Sequence, residues 1–405
     1  MPIVSDAEVE RVFREESGRS VATLIRIFGD IDVAEDAVQE AFALAVQRWP
    51  VDGLPPNPGG WITTTARNRA IDHLRREARG RELLEQLSLD EPAIESATDE
   101  IGPVQDDRLR LIFTCCHPAI ATDAQIALTL RLLGGLTTAD VARAFVVAEP
   151  TMAKRLVRAK HKIAAAHIPY RVPSEADLPE RLRPVLAVVY LIYNAGTDGA
   201  PGDDLRREAI RLARAIAELM PDEAEVAGLL ALLLLTESRW PARYREDGSL
   251  VLLRDQVRRS WDRALIDEGQ AIVRACLRRD RPGPYQIQAA ISAVHADAAT
   301  FEAIAWRQIV ALYDQLLASW PTPIVALNRA IAVAEVEGPL AALDLLDSLE
   351  LDDYHPYHAA RADLLRRVGR RDEAAGAYAR AAALAPGDAE RRFLADRLAQ
   401  LGSAD

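Results

Sequence analysis

Apolar residues recur every three or four positions in two early segments, and this spacing predicts helices. The first spans residues 32–49; we expect Asp32 and Glu35 to cap its start and Pro50 to end it. The second runs from Trp61 to residue 79. Strand-forming residues are sparse, so an all-α fold is expected. The predicted buried stripes are Ala34, Val38, Ala41, Phe42, Ala45 and Trp49 in the first helix, and Ile62, Ala66, Ala70, Ile71 and Leu74 in the second.

The polar side of the first predicted helix carries Asp36, Gln39 and Glu40, again spaced at three and four. A face of this kind is most often simply solvated. A binding role for it therefore depends on the rest of the chain.

The second predicted helix bears polar residues that compete for backbone hydrogen bonds in mid-helix, which favours a use other than helix formation. Beside an aromatic ring and several arginines, such residues suit stacking on unpaired bases and hydrogen bonding to them. Taken singly, each would be ordinary surface. The residues concerned are Trp61, Thr64, Arg67, Asn68, Asp72, Arg75, Arg76 and Arg79.

A short helix, a tight turn and a basic amphipathic helix are predicted further on. Thr137 and Asp140 form a capping box, residues 146–149 make the turn, and Pro150 lies in the first turn of the second helix. This order is typical of a helix-turn-helix, although a solvated basic surface is the alternative. Met152, Leu156, Ala159 and Ile163 should be buried; Glu149, Thr151, Ala153 and Lys154 should meet base edges; Arg155, Arg158 and Lys160 should lie near phosphates.

After residue 170 the chain is rich in alanine and leucine, which predicts a helical extension. The apolar run 227–235 is about half a membrane span, so we expect a buried helix. From Pro323, similar residues recur at a spacing of 32, which fits the tetratricopeptide pattern and predicts helical hairpins. Two interpretations stay open: hairpins that bind no partner, or hairpins whose surface contacts protein. Equivalent positions are Ala330, Ala342 and Leu346 in one unit and Ala362, Ala374 and Tyr378 in the next.

Charge changes this picture more than composition does. The 405-residue chain has a net charge of −12, which by itself argues against nucleic acid as a partner. Residues 106–166, however, carry nine Lys/Arg against five Asp/Glu, whereas residues 80–105 carry one Arg against seven acids. This distribution predicts a basic, DNA-facing module behind a flexible acidic linker.

Several function classes are disfavoured. The chain shows no apolar run of roughly 20 residues and no secretory pattern at its start, so we expect a cytoplasmic protein without a membrane partner. Three cysteines cannot form a disulfide framework, and Cys115, Cys116 and His117 do not supply four zinc ligands, so no metal is expected. Without a nucleophile–base set or a phosphate loop, we expect neither enzymatic activity nor a cofactor.

The first two helices resemble those of sigma factors of the extracytoplasmic-function type. AEDAVQEAF followed by GGWITTTARNRAIDHLRR is similar to that family's order of an acidic helix, a tryptophan, an asparagine and paired arginines. The resemblance implies that Asp36, Gln39 and Glu40 bind the clamp helices of the polymerase β′ subunit. It also implies that Asn68 reads a base of the promoter's minus-ten element. The residues expected at that element are Trp61, Thr64, Arg67, Asn68, Arg75 and Arg76.

DVARAF followed by TMAKRLVRAK resembles the family's second domain, which reads the minus-thirty-five element beside the polymerase β flap. Ala148 and Ala153 replace polar residues there, so few base contacts are expected. DDRLRLIFTCCHPA and VVYLIYNAGTDG resemble segments of a subgroup with a tetratricopeptide-like C-terminal extension. The expected organisation is a polymerase and minus-ten domain at 8–79, a linker at 80–105, a helix-turn-helix domain at 106–168, a helical extension at 175–320 and repeats at 321–405.

The hypothesis is a sigma factor that binds core RNA polymerase, directs it to promoters and assists melting, with the extension regulating it. Two alternatives stay open. A helix-turn-helix regulator acting on duplex DNA without polymerase would leave Asp36, Gln39 and Glu40 unexplained. A repeat scaffold with a vestigial DNA-binding part would make contacts chiefly through the C-terminal hairpins, with another protein or within the chain.

Overall fold

Helices make up the regular structure of this computed structural model, which describes residues 6–76, 101–145, 147–197, 202–245, 247–385 and 387–402. One isolated β-bridge, between Tyr244 and Leu250, is the exception among the described residues. The all-α expectation is confirmed. By packing, the chain divides into two units, Met1–Ile192 and Tyr193–Asp405.

Three long helices begin the first unit. They are α1 (Asp6–Phe28), α2 (Ile31–Asp52) and α3 (Pro58–Arg76). All six residues predicted to form the buried stripe of α2 are buried, because an apolar stripe at helical spacing faces the core. In α3 four of the five predicted positions are buried, whereas Ile71 is only partly covered.

Both predicted ends of α2 require correction. Asp30, not Asp32, caps the helix: its carboxylate accepts hydrogen bonds from the backbone amides of Asp32 and Val33 at 2.8 and 3.1 Å. Pro50 does not end the helix, since a proline in the last turn removes only one backbone bond. The helix ends two residues later, where Gly53 has a φ of 84°.

Five more helices of the first unit lie in the described residues. The predicted capping box is present at α6, where Thr137 and Asp140 exchange hydrogen bonds. Of the predicted linker, residues 80–100 lie outside the described residues, and residues 101–105 are helical because Pro103 falls in a first turn that tolerates proline. The helices are α4 (Ile101–Cys115), α5 (Thr122–Leu128) extended by a π-helical turn (Thr129–Leu133), α6 (Thr138–Ala144), α7 (Glu149–Ala165) and α8 (Leu178–Ala195), whose last turn reaches into the second unit.

The second unit is a succession of helices. The apolar run 227–235 lies inside α10, where all but Ala227 is buried, as expected. In the described residues no helix is both long and apolar enough to cross a membrane. The helices are α9 (Gly202–Leu219), α10 (Ala224–Glu237), α11 (Arg263–Arg279), α12 (Pro284–Asp297), α13 (Trp306–Ser319), α14 (Pro323–Val336), α15 (Pro339–Leu346), α16 (His355–Arg367), α17 (Arg371–Leu384) and α18 (Asp388–Gly402).

The 32-residue spacing corresponds to two consecutive helix pairs, α14 with α15 and α16 with α17. All six equivalent small and bulky positions are at most 3% exposed. Small residues at these positions let the paired helices approach closely, and the bulky ones fill the groove between them. The predicted helical hairpins are therefore present.

Candidate nucleic-acid interface

The acidic side of α2 lies away from its buried stripe. Asp36 and Glu40 are exposed, and Gln39 is partly buried. The Glu40 carboxylate lies 3.9 Å from the Arg69 guanidinium of α3, and exposed pairs of this kind contribute little to stability. The three residues predicted to bind protein thus belong to the accessible part of a helix whose other side is core.

Asp36 occupies an unfavourable position for an ionised carboxylate. Partial burial, and after it the negative charge of Glu35, raise the pKa of Asp36 above the ordinary 3.8, against the opposing effect of Lys160. A raised carboxylate pKa means that stability is lost as the pH rises through the unfolded and then the folded value. Ionised Asp36 therefore slightly opposes folding at neutral pH, and solvent screens much of this effect because the side chain is largely exposed.

The polar side of α3 is the part predicted to meet the minus-ten element. Thr64 and Asn68, one turn apart, are both exposed, and so is Arg75 near the end of the helix. Arg67 is partly buried. Arg76 closes the helix, and its side chain lies outside the described residues.

Packing turns a neighbouring threonine inward and holds the aromatic ring. The Thr63 hydroxyl lies 2.9 Å from the Gly59 carbonyl oxygen and 3.0 Å from the Ser20 hydroxyl. Trp61 is half-buried, with its ring edge-on to that of buried Trp49 at 5.4 Å between centroids. Part of the Trp61 ring therefore remains accessible at the start of the α3 polar face.

The basic helix α7 follows α6 after a short turn, as predicted. Its predicted stripe, Met152, Leu156, Ala159 and Ile163, is buried. Ala148 caps it without a side-chain hydrogen bond, and Ala153 is half-buried. The exposed members of the predicted minus-thirty-five set are Glu149, Thr151, Lys154, Arg155 and Arg158.

Lys160 departs from the expectation that it is exposed near phosphates. Its side chain is 14% exposed, and its ammonium group lies 3.1 Å from the Glu35 carboxylate and pairs with Asp32. The other Glu35 oxygen accepts a 2.6 Å hydrogen bond from the Arg131 guanidinium. We call Glu35, Arg131 and Lys160 the Glu35 network. It joins α2 to the basic module at a nearly buried position.

The charges of this network stabilise one another. Burial lowers the pKa of Lys160, but the carboxylates of Glu35 and Asp32 outweigh burial and raise it overall. Lys160 is therefore fully charged at neutral pH. Its stabilising effect is present below the unfolded value of 10.5 and is lost only as the pH rises through the higher folded value.

A second polar contact joins α1 to the basic module. The Tyr170 hydroxyl lies 2.8 Å from the Ala22 carbonyl oxygen and 3.0 Å from that of Asp107. The fully buried Asp107 carboxylate accepts hydrogen bonds from Arg26 at 2.7 Å and from Arg110 at 3.1 Å. A buried carboxylate is tolerated where charged donors satisfy it, and here they come from both sides of the contact.

The adjacent cysteines lie in the core. Cys115 and Cys116 are both buried, and the Cys116 sulfur lies 3.6 Å from the Thr129 hydroxyl. Burial raises the pKa of the Cys116 thiol to about 12. The thiols therefore stay protonated and pack α4 against the π-helical turn.

The sequence pattern did not predict the contact between Glu35 and Arg131. Glu35 is adjacent to the acidic face and was assigned to a cap. The available signal was Arg131 itself, an arginine inside the apolar run LTLRLL, because a charge in such a run usually has a partner.

Two family descriptions match parts of the chain. Residues 12–80 match Sigma-70 region 2, and residues 181–277 match a family of unknown function. The first match covers α2 and α3 with the residues predicted to contact polymerase and the minus-ten element.

Relatives extend this result. An uncharacterised protein of Rhizobium meliloti is 42% identical over 95% of this chain and 94% of its own length. The ECF RNA polymerase sigma factor SigL of Mycobacterium tuberculosis is 31% identical over 33% of this chain and 73% of its own length. The probable ECF RNA polymerase sigma factor SigI of the same species is 27% identical over 40% and 56%. Among solved structures, the tetratricopeptide-repeat domain of P58(IPK) aligns over 98% of this chain with 14% identity and a TM-score of 0.25.

Proposed function

The chain belongs to the extracytoplasmic-function family of RNA polymerase sigma factors, and we propose that α2 binds core polymerase while α3 and α7 bind promoter DNA. In this role the protein directs polymerase to promoters and helps open them, with no covalent step of its own. It acts in the cytoplasm, where polymerase and chromosome are. The single observation that best supports the proposal is the accessible acidic face of α2, within the segment that matches Sigma-70 region 2.

Docking on polymerase uses Asp36, Gln39 and Glu40. Two of these side chains are exposed, and ionised Asp36 opposes folding, so the fold itself does not require it. A basic groove on the β′ clamp helices would offer Asp36 an ion-pair partner that it lacks among the described residues, and would compete with Arg69 for the exposed Glu40 carboxylate. Docking there would relieve the unfavourable electrostatics at Asp36.

Co-purification with core polymerase tests this docking. Asp36→Arg should abolish it, because a repulsive charge replaces a contact at the centre of the face. The matched control is Asp52→Arg, an exposed acid on the same helix four to five turns away and on a different side. Equal retention of both variants would refute the role of the acidic face.

Opening of the promoter uses α3. Unstacking a base costs a few kcal/mol, and stacking on an aromatic ring recovers about 1–3 kcal/mol of it per base. The accessible part of the Trp61 ring offers that surface, and Asn68 offers an amide with both a donor and an acceptor. Arg75 supplies positive charge for the backbone of the opened strand.

Run-off transcription over genomic DNA with reconstituted holoenzyme would identify the promoters. On them, Asn68→Ala should lower the permanganate reactivity of unpaired thymines by about tenfold, the loss of a contact worth roughly 1.4 kcal/mol. Gln47→Ala, an exposed amide on α2, is the control. Unchanged reactivity in both variants would remove Asn68 from the melting step.

Binding both promoter elements requires the two modules to separate. The elements lie about 25 base pairs apart, or about 85 Å along B-DNA, whereas α2 and α7 are joined by the Glu35 network. The 24 residues between α3 and α4 reach about 80 Å when fully extended. The contact between the modules is therefore a closed form that polymerase and promoter replace.

The proposal for the extension is that it regulates the factor. SigL aligns with only 33% of this chain, so a related sigma factor does not carry an extension of this size. A chain ending at residue 201 keeps α8 whole and should differ from the full chain in promoter-dependent transcription. Equal activity and equal control in cells would refute regulation by the extension. Duplex binding that survives without any polymerase retention would favour the helix-turn-helix regulator.

A further inference from the structure

Three arginines in the second unit lie together without acidic partners. Arg239 lies two residues after the end of α10, Arg243 follows a 3₁₀ turn, and Arg258 begins another just before α11. In the part of the chain that the structure describes, none of their guanidinium groups forms an ion pair with a carboxylate. We call Arg239, Arg243 and Arg258 the arginine cluster.

Aromatic rings hold the cluster in place. The Arg258 guanidinium lies 4.2 Å from the centre of the Trp261 ring, and that of Arg239 lies 5.9 Å from the same ring. Arg243 lies 5.5 Å from the centre of the Trp240 ring. Aromatic faces attract cations, so they fix the guanidinium groups without neutralising them. The positive charge therefore remains available to a ligand.

Several donors around the cluster are shielded from solvent and lack a hydrogen-bond partner among the described residues. They are Nε of Arg243, Nη2 of Arg258 and Nε1 of Trp261, and Nδ1 of the neutral His295 ring is a fourth buried polar atom without a partner, a donor in one of the two tautomers. Arg258 uses its other terminal nitrogen to donate to the backbone carbonyls of His295 and Ala298. Buried donors without acceptors are rare and costly, and three in one neighbourhood call for an acceptor supplied from outside.

The positive charges of the cluster also lower the pKa values of Arg239 and of neighbouring His295. Burial, followed by the charge of Arg243, lowers the pKa of Arg239 to about 10. Burial, followed by the charges of Arg239 and Arg258, lowers the pKa of His295 to about 3, so that ring is neutral at pH 7. Arg239 is therefore a poorly solvated cation that the charges of Arg243 and Arg258 both repel.

Neighbouring carboxylates do not compensate for this charge. Glu237 accepts hydrogen bonds from Arg206 and from the Tyr193 hydroxyl, each at 2.9 Å, and so neutralises a different arginine. Glu302 acts on Arg258 from an exposed position. The arginine cluster thus keeps a surplus of positive charge.

We propose that the arginine cluster, with Trp261 and His295, forms a binding site for the phosphate group of a small molecule. A phosphate dianion presents several acceptor oxygens and two negative charges, which suits converging guanidinium forks better than a single carboxylate does. The site lies wholly in the second unit and does not depend on the sigma-factor role. It gives the extension a ligand of its own.

Calorimetric titration of the full chain with inorganic phosphate and pyrophosphate, at constant ionic strength, tests the site. Arg239→Gln and Arg243→Gln should each weaken binding by about tenfold or more, because each removes a charged donor. Arg263→Gln is the matched control, an exposed arginine paired with Asp267 on α11. It should leave the affinity unchanged.

Thermal unfolding separates a ligand site from a structural role. Without phosphate, Arg239→Gln should unfold at a higher temperature than wild type, since the variant relieves repulsion and desolvation. Phosphate should raise the unfolding temperature of wild type and of Arg263→Gln, and that of Arg239→Gln far less. If Arg239→Gln does not fold, Arg243→Gln carries the same comparison.

Three results would overturn the proposal. One is a lower unfolding temperature for both cluster variants with unchanged phosphate binding, which marks the arginines as structural. Another is an equal response to phosphate, sulfate and chloride at the same ionic strength, which marks general screening. Tighter binding of citrate than of pyrophosphate would assign the site to carboxylates instead.

Discussion

Glu35→Gln tests the contact between α2 and α7 most directly. The Glu35 side chain is 11% exposed and accepts hydrogen bonds from Arg131 at 2.6 Å and Lys160 at 3.1 Å. The amide keeps the shape of the side chain but removes the charge that two nearly buried cations share. Asp32 still pairs with Lys160, and the Leu136 carbonyl still accepts from Arg131. We therefore expect a cost of about 3 kcal/mol, the lower end for breaking a buried pair.

Hydrogen exchange measured by mass spectrometry reads this cost locally. A loss of about 3 kcal/mol corresponds to roughly hundredfold faster exchange of the α7 amides. Glu40→Gln on the same helix is the control, since its exposed pairing with Arg69 should change exchange by less than about threefold. Combining Glu35→Gln with Lys160→Met should add little, because the two side chains share one interaction.

One outcome would refute this reasoning. If Glu35→Gln leaves exchange in α7 within about threefold of wild type, like the Glu40→Gln control, the Glu35 network does not hold the modules together. The closed form proposed above would then have no electrostatic basis. Polymerase retention should not fall in Glu35→Gln, because Glu35 lies outside the predicted docking face and its loss weakens the closed form that polymerase replaces.

Gly228→Ala should destabilise the second unit by about 1–3 kcal/mol in urea unfolding, because its Cβ would lie 2.7 Å from a backbone nitrogen. Gly376 lies in α17 with open space around it, so Gly376→Ala should raise the free energy of unfolding by about 1 kcal/mol. If both substitutions change the free energy of unfolding in the same direction, the packing around these two glycines is wrong. Burial raises the pKa of the Cys116 thiol from 9.0 to about 12, so this thiol should react with iodoacetamide about a thousandfold more slowly in native than in unfolded protein. Rapid labelling of the native protein would contradict its burial. Arg158→Gln should lower the salt-dependence slope of promoter binding by about one, and an unchanged slope would place Arg158 away from phosphates.

Helical periodicity was sufficient to predict most of the fold. The buried faces of α2 and α7 and the two repeat hairpins are as predicted, because an apolar stripe is buried whatever it packs against. Helix ends were harder to predict. Asp30 rather than Asp32 caps α2, since any acidic residue near the start can satisfy the same free amides.

The candidate interface was predictable to the same extent. The exposure of Asp36, Asn68 and Arg158 follows from their places on amphipathic helices. Whether they bind polymerase and DNA stays a prediction. Lys160 shows where periodicity fails: it lies beside the buried stripe of α7, and only the approach of α2 decides whether it meets solvent or a carboxylate.

The sequence by itself thus determined the helices, their buried faces, the uneven charge and the family resemblance, all of which depend on residues close together in the chain. Tertiary structure alone decided the Glu35 network, because Arg131 and Lys160 lie 96 and 125 residues after Glu35 in the chain. It also decided the arginine cluster, beside which α12 places His295. The physical reason is that a contact between distant residues leaves no periodic signature. A buried charge reveals its partner, or the lack of one, only when the chain is folded.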